Sequence, residues 1–117
     1  MIKNETTAVN PPARTISIRG NKSSYKLYPG NIIRLQSNSN YTFIYSDTHR
    51  PILIARILKD YEQMLRSFDF IRISRGSLVN KKHIDRMTAD GYIIMDDQSH
   101  LKISRRKMSA VKRLVLA

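Results

Sequence analysis

The stretch IRISRGSLVNKKHI, residues 71–84, changes character twice. It opens with Ile71 and Ile73 alternating with Arg72, the period-two signature of a strand with one buried face. It breaks at Ser74-Arg75-Gly76-Ser77 and resumes as Leu78-Val79-Asn80-Lys81-Lys82. A strand running into such a loop leaves Arg75 free to project. Gly76 lets the backbone turn or approach a ligand closely, and Ser74 and Ser77 are small donors.

The same short-period patterning extends in both directions. Upstream, Ile16 and Ile18 alternate with Ser17 and Arg19, GNKS makes a turn, and Tyr25 and Leu27 alternate with Lys26 and Tyr28. IIRLQS (32–37) and YTFIYS (41–46) flank NSN as a hairpin with Tyr41, Phe43 and Tyr45 on one face, and PILI (51–54) reads as an apolar strand. Between residues 57 and 68 the period changes. Ile57, Leu58, Tyr61, Met64, Leu65 and Phe68 make one stripe at helical spacing, which predicts an amphipathic helix packed on the core. Strands are predicted again at 83–88, 92–95 and 101–103, with DDQSH as a turn. A closing helix follows over about 105–115, with Ser104 as N-cap and Met108, Val111, Leu114 and Val115 on its buried side.

The fold class expected is therefore mostly β: compact small antiparallel β-sheets of about eight to ten short strands, one mid-chain amphipathic helix and a C-terminal helix. It occupies residues 15–117, and the polar segment 1–14, ending in NPPAR, reads as a flexible leader or linker stub. A length of 117 residues matches one domain, and 41% hydrophobic with 26% charged residues is a globular composition. The chain has no cysteine, which excludes disulfides, thiolate metal sites and cysteine nucleophiles. No apolar run reaches the length of a membrane span and the start lacks a signal-peptide core, so the expectation is a cytoplasmic protein with no membrane partner.

Charge separates the function classes. The formal net charge is +12, and segments 72–86 and 102–113 carry eleven basic residues against one acid, Asp85. Clustering of this kind points to a polyanionic partner, most often nucleic acid. Catalysis finds little support. His49, His83 and His100 form no ligand pair, Asp96-Asp97 belong to an ordinary turn, and the four glycines stand singly rather than in a phosphate-binding loop. No catalytic residue, metal, cofactor or small-molecule substrate is expected.

Nucleic-acid chemistry fits better. Arg75 suits a bidentate contact with guanine, and the hydroxyls of Ser74 and Ser77 suit phosphate. Lys81 and Lys82 add sequence-independent attraction to the backbone. LKISRRKMS (101–109) is a second strand ending in Ser-Arg, where Ser104, Arg106 and Lys107 suit phosphate beside Arg105 at a helix start. The SNSNYT tip (37–42) offers Asn40 and Tyr41. Two other readings stay open at this level. One is a non-specific or single-strand binder that stacks bases on Tyr41, Phe43 and Tyr45; the other is a protein-interaction module with a basic face.

The order of these segments resembles the LytTR family of bacterial DNA-binding domains over about residues 15–116. The resemblance rests on Phe70 and Arg72, on Leu78-Val79-Asn80 with Ile84, and on Ser104-Arg105-Arg106. It implies small antiparallel sheets that bind double-stranded promoter DNA through loops, at paired direct repeats, as the output domain of a response regulator. A second copy on the tandem site is implied too. By position it implies base or groove contacts from Asn40 or Tyr41, from Arg75 and from Arg105, with Asn80 structural. Members commonly carry histidine at the position of Ser74 and an aromatic near Ser77, so this chain departs from the pattern there. The receiver domain that commonly precedes such domains is not in the chain, which fits an excised fragment or a small stand-alone regulator.

Overall fold

The computed structural model describes residues 15–20 and 23–116; the segment expected to be a leader, 1–14, lies outside them. Ten strands are described: β1 Ile16–Arg19, β2 Ser24–Leu27, β3 Ile32–Asn38, β4 Tyr41–Ser46, β5 Ile52–Ile54, β6 Phe70–Ser74, β7 Ser77–Asn80, β8 Ile84–Met87, β9 Tyr92–Met95 and β10 His100–Lys102. Two helices, α1 Leu58–Met64 and α2 Met108–Leu116, complete the order. The strands form three antiparallel sheets: β1-β2, β5-β4-β3-β7-β6 and β10-β9-β8.

The five-stranded sheet is the middle layer, and its strands feed two cores. Ile32, Leu35, Ile44, Ile52, Ile54 and Leu78 point to one face, where β1-β2 supplies Ile18 and Leu27 and α1 supplies Leu58 and Tyr61. Ile33, Ile71, Ile73 and Val79 point to the other, where the three-stranded sheet supplies Ile93, Met95 and Leu101 and α2 supplies Val111. Each fully buried aliphatic side chain contributes roughly 1.5–3 kcal/mol relative to exposure. β7 is buried at all four positions, Leu78 in the first core and Val79 in the second. A strand covered on both faces loses the polar-apolar alternation that marks β6.

Two expectations about the helices change. The stripe from 57 to 68 is not one helix: α1 ends at Met64, a 3₁₀ turn takes Arg66–Phe68, and Asp69 at φ 62° turns the chain into β6. The tighter turn has about three residues per turn rather than 3.6, so the stripe loses phase. Leu58, Tyr61 and Leu65 stay buried while Ile57 and Met64 are exposed. At the other end, Arg105–Lys107 form a 3₁₀ turn before α2, and Leu114 faces solvent.

A candidate nucleic-acid interface

Sheet register gathers three loops at one end of the middle layer. In the β6-β7 hairpin Ser74 pairs with Ser77, so Arg75 and Gly76 are the turn itself. β3 lies antiparallel to β7 with Gln36 opposite Ser77, and Ser37 N donates to Gly76 O at 2.9 Å. The β3-β4 turn at Ser39-Asn40 therefore stands beside the Arg75 tip. Gly76 is not left-handed; a Cβ there would come 3.1 Å from Ser37 Oγ and 3.2 Å from Gln36 Nε2, so glycine serves close approach. Ser104 N donates to Ile73 O at 2.9 Å, which draws the 104–107 turn to the same end. Between the hairpin and that turn lies an open cleft of about 730 Å³, lined by Arg72, Ser74, Arg75 and Gly76, by Ser104, Arg106 and Lys107, and by Glu62 and Ala110.

The expected residues divide accordingly. Arg75, Arg105, Arg106 and Asn40 are exposed, and Tyr41 is 43% exposed at the neighbouring tip. Ser74 and Ser104 are part-buried at the cleft, and the Ser74 hydroxyl accepts from Gly76 N at 3.3 Å. Arg105 sits on the turn but outside the cleft lining, which Arg106 and Lys107 reach. Ser104 makes no side-chain capping bond, and α2 begins only at Met108, so the expected cap at the start of the closing helix is not formed. Ser77 is a clearer correction. It is buried, and its hydroxyl donates to Gln36 Oε1 at 2.9 Å, turned into the sheet rather than toward a phosphate.

Lys81 and Lys82 lie at the opposite end of β7 from Arg75, in a 3₁₀ turn Lys81–His83. At about 3.3 Å per strand residue they stand more than about 10 Å from the tip. The aromatic stripe behaves differently from the core strands beside it. Thr42 and Ile44 are buried, whereas Phe43 and Tyr45 are half-buried on the opposite face, 6.1 Å apart by ring centroid. Arg34 lies 3.9 Å over the Tyr45 ring as a cation–π partner.

Two residues that sequence reasoning passed over complete the cleft. Arg72 is the basic residue of the 71–73 alternation, and Glu62 stands on α1. Arg72 Nη1 donates to Glu62 Oε1 at 2.7 Å, Nε to Ser74 O at 2.8 Å and Nη2 to Arg75 O at 2.6 Å. The Phe70-Arg72 signature pointed at Arg72 without giving it a role, and no spacing in the chain connects it to Glu62.

Behind the interface, His83 joins the sheets. Its Nδ1 lies 2.6 Å from Asp96 Oδ2 after β9, and its Nε2 lies 2.6 Å from Gly30 O before β3. Both partners are acceptors, so both nitrogens are satisfied as donors only in the imidazolium. Burial pushes the His83 pKa down; the hydrogen bonds to Gly30 and Asp96 and the charges of Asp96 and Asp47 outweigh it, and the net position is above the ordinary 6.5. A folded-state pKa above the unfolded one stabilises the protein fully below pH about 6.5, and that contribution is lost as pH rises through the folded value. Unfolding by urea from about pH 5.5 to about pH 8.5 is therefore expected to show wild type losing its advantage over His83→Gln as pH rises. A constant difference across that range would show that the proton is not held.

The profile of the LytTr DNA-binding domain family matches residues 22–115. Among solved structures, the chain is similar to a LytTr DNA-binding domain from Bacillus cereus, taken from a protein described as a methyl-accepting/DNA response regulator. That likeness has a TM-score of 0.75 at 18% identity, over 86% of this chain and 95% of that one, and it concerns the fold. A search of curated protein sequences gives no match. The chain belongs to the LytTr DNA-binding domain family.

Proposed function

We propose that this domain binds double-stranded promoter DNA sequence-specifically, as the output domain of a bacterial transcription regulator in the cytoplasm. The observation that carries the reading is the convergence of two strand-to-Ser-Arg junctions on one cleft, with the Asn40-Tyr41 tip beside it. Arg75 and Arg105 enter grooves, where an arginine fork matches the O6 and N7 acceptors of guanine. Asn40 and Tyr41 read an adjoining edge. Ser74, Ser104, Arg106 and Lys107 hold phosphates around those contacts, and Lys81 and Lys82 contribute salt-dependent attraction from the far end of the hairpin. A second copy occupies the neighbouring half of a direct repeat, giving two such loop sets on one promoter.

Selection from a random duplex pool tests this reading. A repeated motif with two half-sites in the enriched sequences is expected. Retention of all duplexes at low salt without enrichment would leave charge but no recognition. Preference for single strands over duplex would move the function to the Tyr41, Phe43 and Tyr45 face, and tight binding to an acidic protein with indifference to DNA would make the domain an interaction module.

A further inference from the structure

The Arg75 tip is a two-residue turn on an edge hairpin, a place where a backbone is ordinarily free to adjust. Its register is also irregular, because the β6-β7 pairing shifts between Arg72 and Ser74. Yet two successive carbonyls on this segment, those of Ser74 and Arg75, accept from one guanidinium. The Arg72 side chain is 18% exposed, and its guanidinium is held on the third side by Glu62 of α1, a residue from a different layer of the fold.

We infer that Glu62 and Arg72 form a clamp that presets the backbone of the Arg75 tip for DNA, so that Glu62, which touches no base, is a positioning residue for sequence discrimination. The inference rests on the DNA-reading role proposed for Arg75. The chemistry of the set is specific. Arginine is planar with donors in a fixed fork, so one side chain bridges a carboxylate and two carbonyls at once; a lysine ammonium cannot span the same acceptors. Two carbonyl oxygens pointing at one center repel each other unless a cation lies between them. Glu62 adds a second consequence. It occupies a basic guanidinium that lines the cleft and would otherwise be free to grip phosphate, so Arg72 shapes the reader instead of adding non-specific affinity. The acid inside a basic cleft, costly for binding a polyanion in general, is thereby accounted for.

The prediction is a split between two affinities. Glu62→Gln and Arg72→Lys are expected to weaken binding to the selected duplex by about tenfold while leaving binding to a scrambled duplex equal or stronger. A general loss of folding would lower both together. In an Arg75→Ala background, where no tip side chain remains to be aimed, Glu62→Gln should cost the selected duplex nothing further. The exchanged pair, Glu62→Arg with Arg72→Glu, restores the ion pair but puts an acceptor where two carbonyls need a donor, so it should not rescue discrimination. In the free protein, the carbonyl carbon resonances of Ser74 and Arg75 and the Gly76 amide should move in Glu62→Gln, whether or not Arg72→Lys folds.

Full discrimination in Glu62→Gln, full additivity with Arg75→Ala, or rescue by the exchanged pair would each overturn the clamp while leaving DNA reading intact. If wild type itself shows no preference between selected and scrambled duplexes, the DNA-reading role falls and the clamp falls with it, a result separable from the other three.

Discussion

Replacing Asn80 by alanine is expected to lower the unfolding free energy by about 3 kcal/mol. Asn80 is 1% exposed, and its side chain serves three backbone partners from the end of β7, an interior strand of the five-stranded sheet. Its Nδ2 donates to Ile32 O at 2.9 Å and to Pro29 O at 3.2 Å, and its Oδ1 accepts from Lys82 N at 3.0 Å. Alanine takes the donor from Ile32 O and the acceptor from Lys82 N, while Pro29 O keeps the Ile32 N–H, and each group left unsatisfied costs about 1–3 kcal/mol before relaxation. Aspartate should be worse than alanine despite its size. It keeps the acceptor for Lys82 but sets a carboxylate oxygen against the two carbonyls in a buried site. Urea unfolding with an unchanged m-value measures both. A loss under about 1 kcal/mol in Asn80→Ala would mean that water replaces the side chain, and Asn80 would then not be the joint between β3 and the Lys81–His83 turn.

Arg75→Ala is expected to cost about 1–3 kcal/mol on the selected duplex, roughly 5- to 150-fold in affinity, concentrated at one base pair. The side chain stands exposed at the tip of the hairpin, while the Arg75 carbonyl is tied back to Arg72. Backbone and side chain therefore have separate tasks, and alanine removes only the second. Lys82→Ala is the contrasting variant. It is exposed and far along the hairpin, so its loss should weaken selected and scrambled duplexes alike and reduce the salt slope by about one contact. Fluorescence anisotropy on both duplexes across a salt series checks the pair. Equal losses on both duplexes in Arg75→Ala would place Arg75 on a phosphate rather than a base.

What could be read from the sequence follows from which residues keep their local period. Ile71 and Ile73 alternate with Arg72 because β6 has one buried and one part-buried side, and the strand was legible. β7 carries no alternation because Leu78 and Val79 face different cores, so SLVN reads as an apolar patch after a loop rather than as an interior strand of the sheet. The two Ser-Arg junctions were legible as chemistry. That they share one cleft was not, since the bond from Ser104 to Ile73 is a matter of backbone geometry. Lys81 and Lys82 are close to Arg75 in sequence but at the other end of a strand, where extended backbone separates neighbours in the chain. Ser77 offered the same hydroxyl as Ser74, and only the pairing of β7 with β3, which sets Gln36 opposite Ser77, turns that one into the sheet.

The strand order also bears on how the domain comes into being. β7 lies between β6, its neighbour in the chain, and β3, so that Ser77 bonds to Gln36 across 41 residues. Closing a chain segment of that length is entropically costly and precedes any reward from packing, which puts non-local β domains in the millisecond-to-second range of folding times. The β6-β7 hairpin can form locally, but its tip also takes distant anchors: Ser37 on Gly76, Glu62 on Arg72 and Ser104 on Ile73. A peptide spanning residues 70–80 would carry every atom of the Arg75 turn and none of the distant anchors that aim it. The proposed recognition surface is thus complete only where segments far apart in the chain have met.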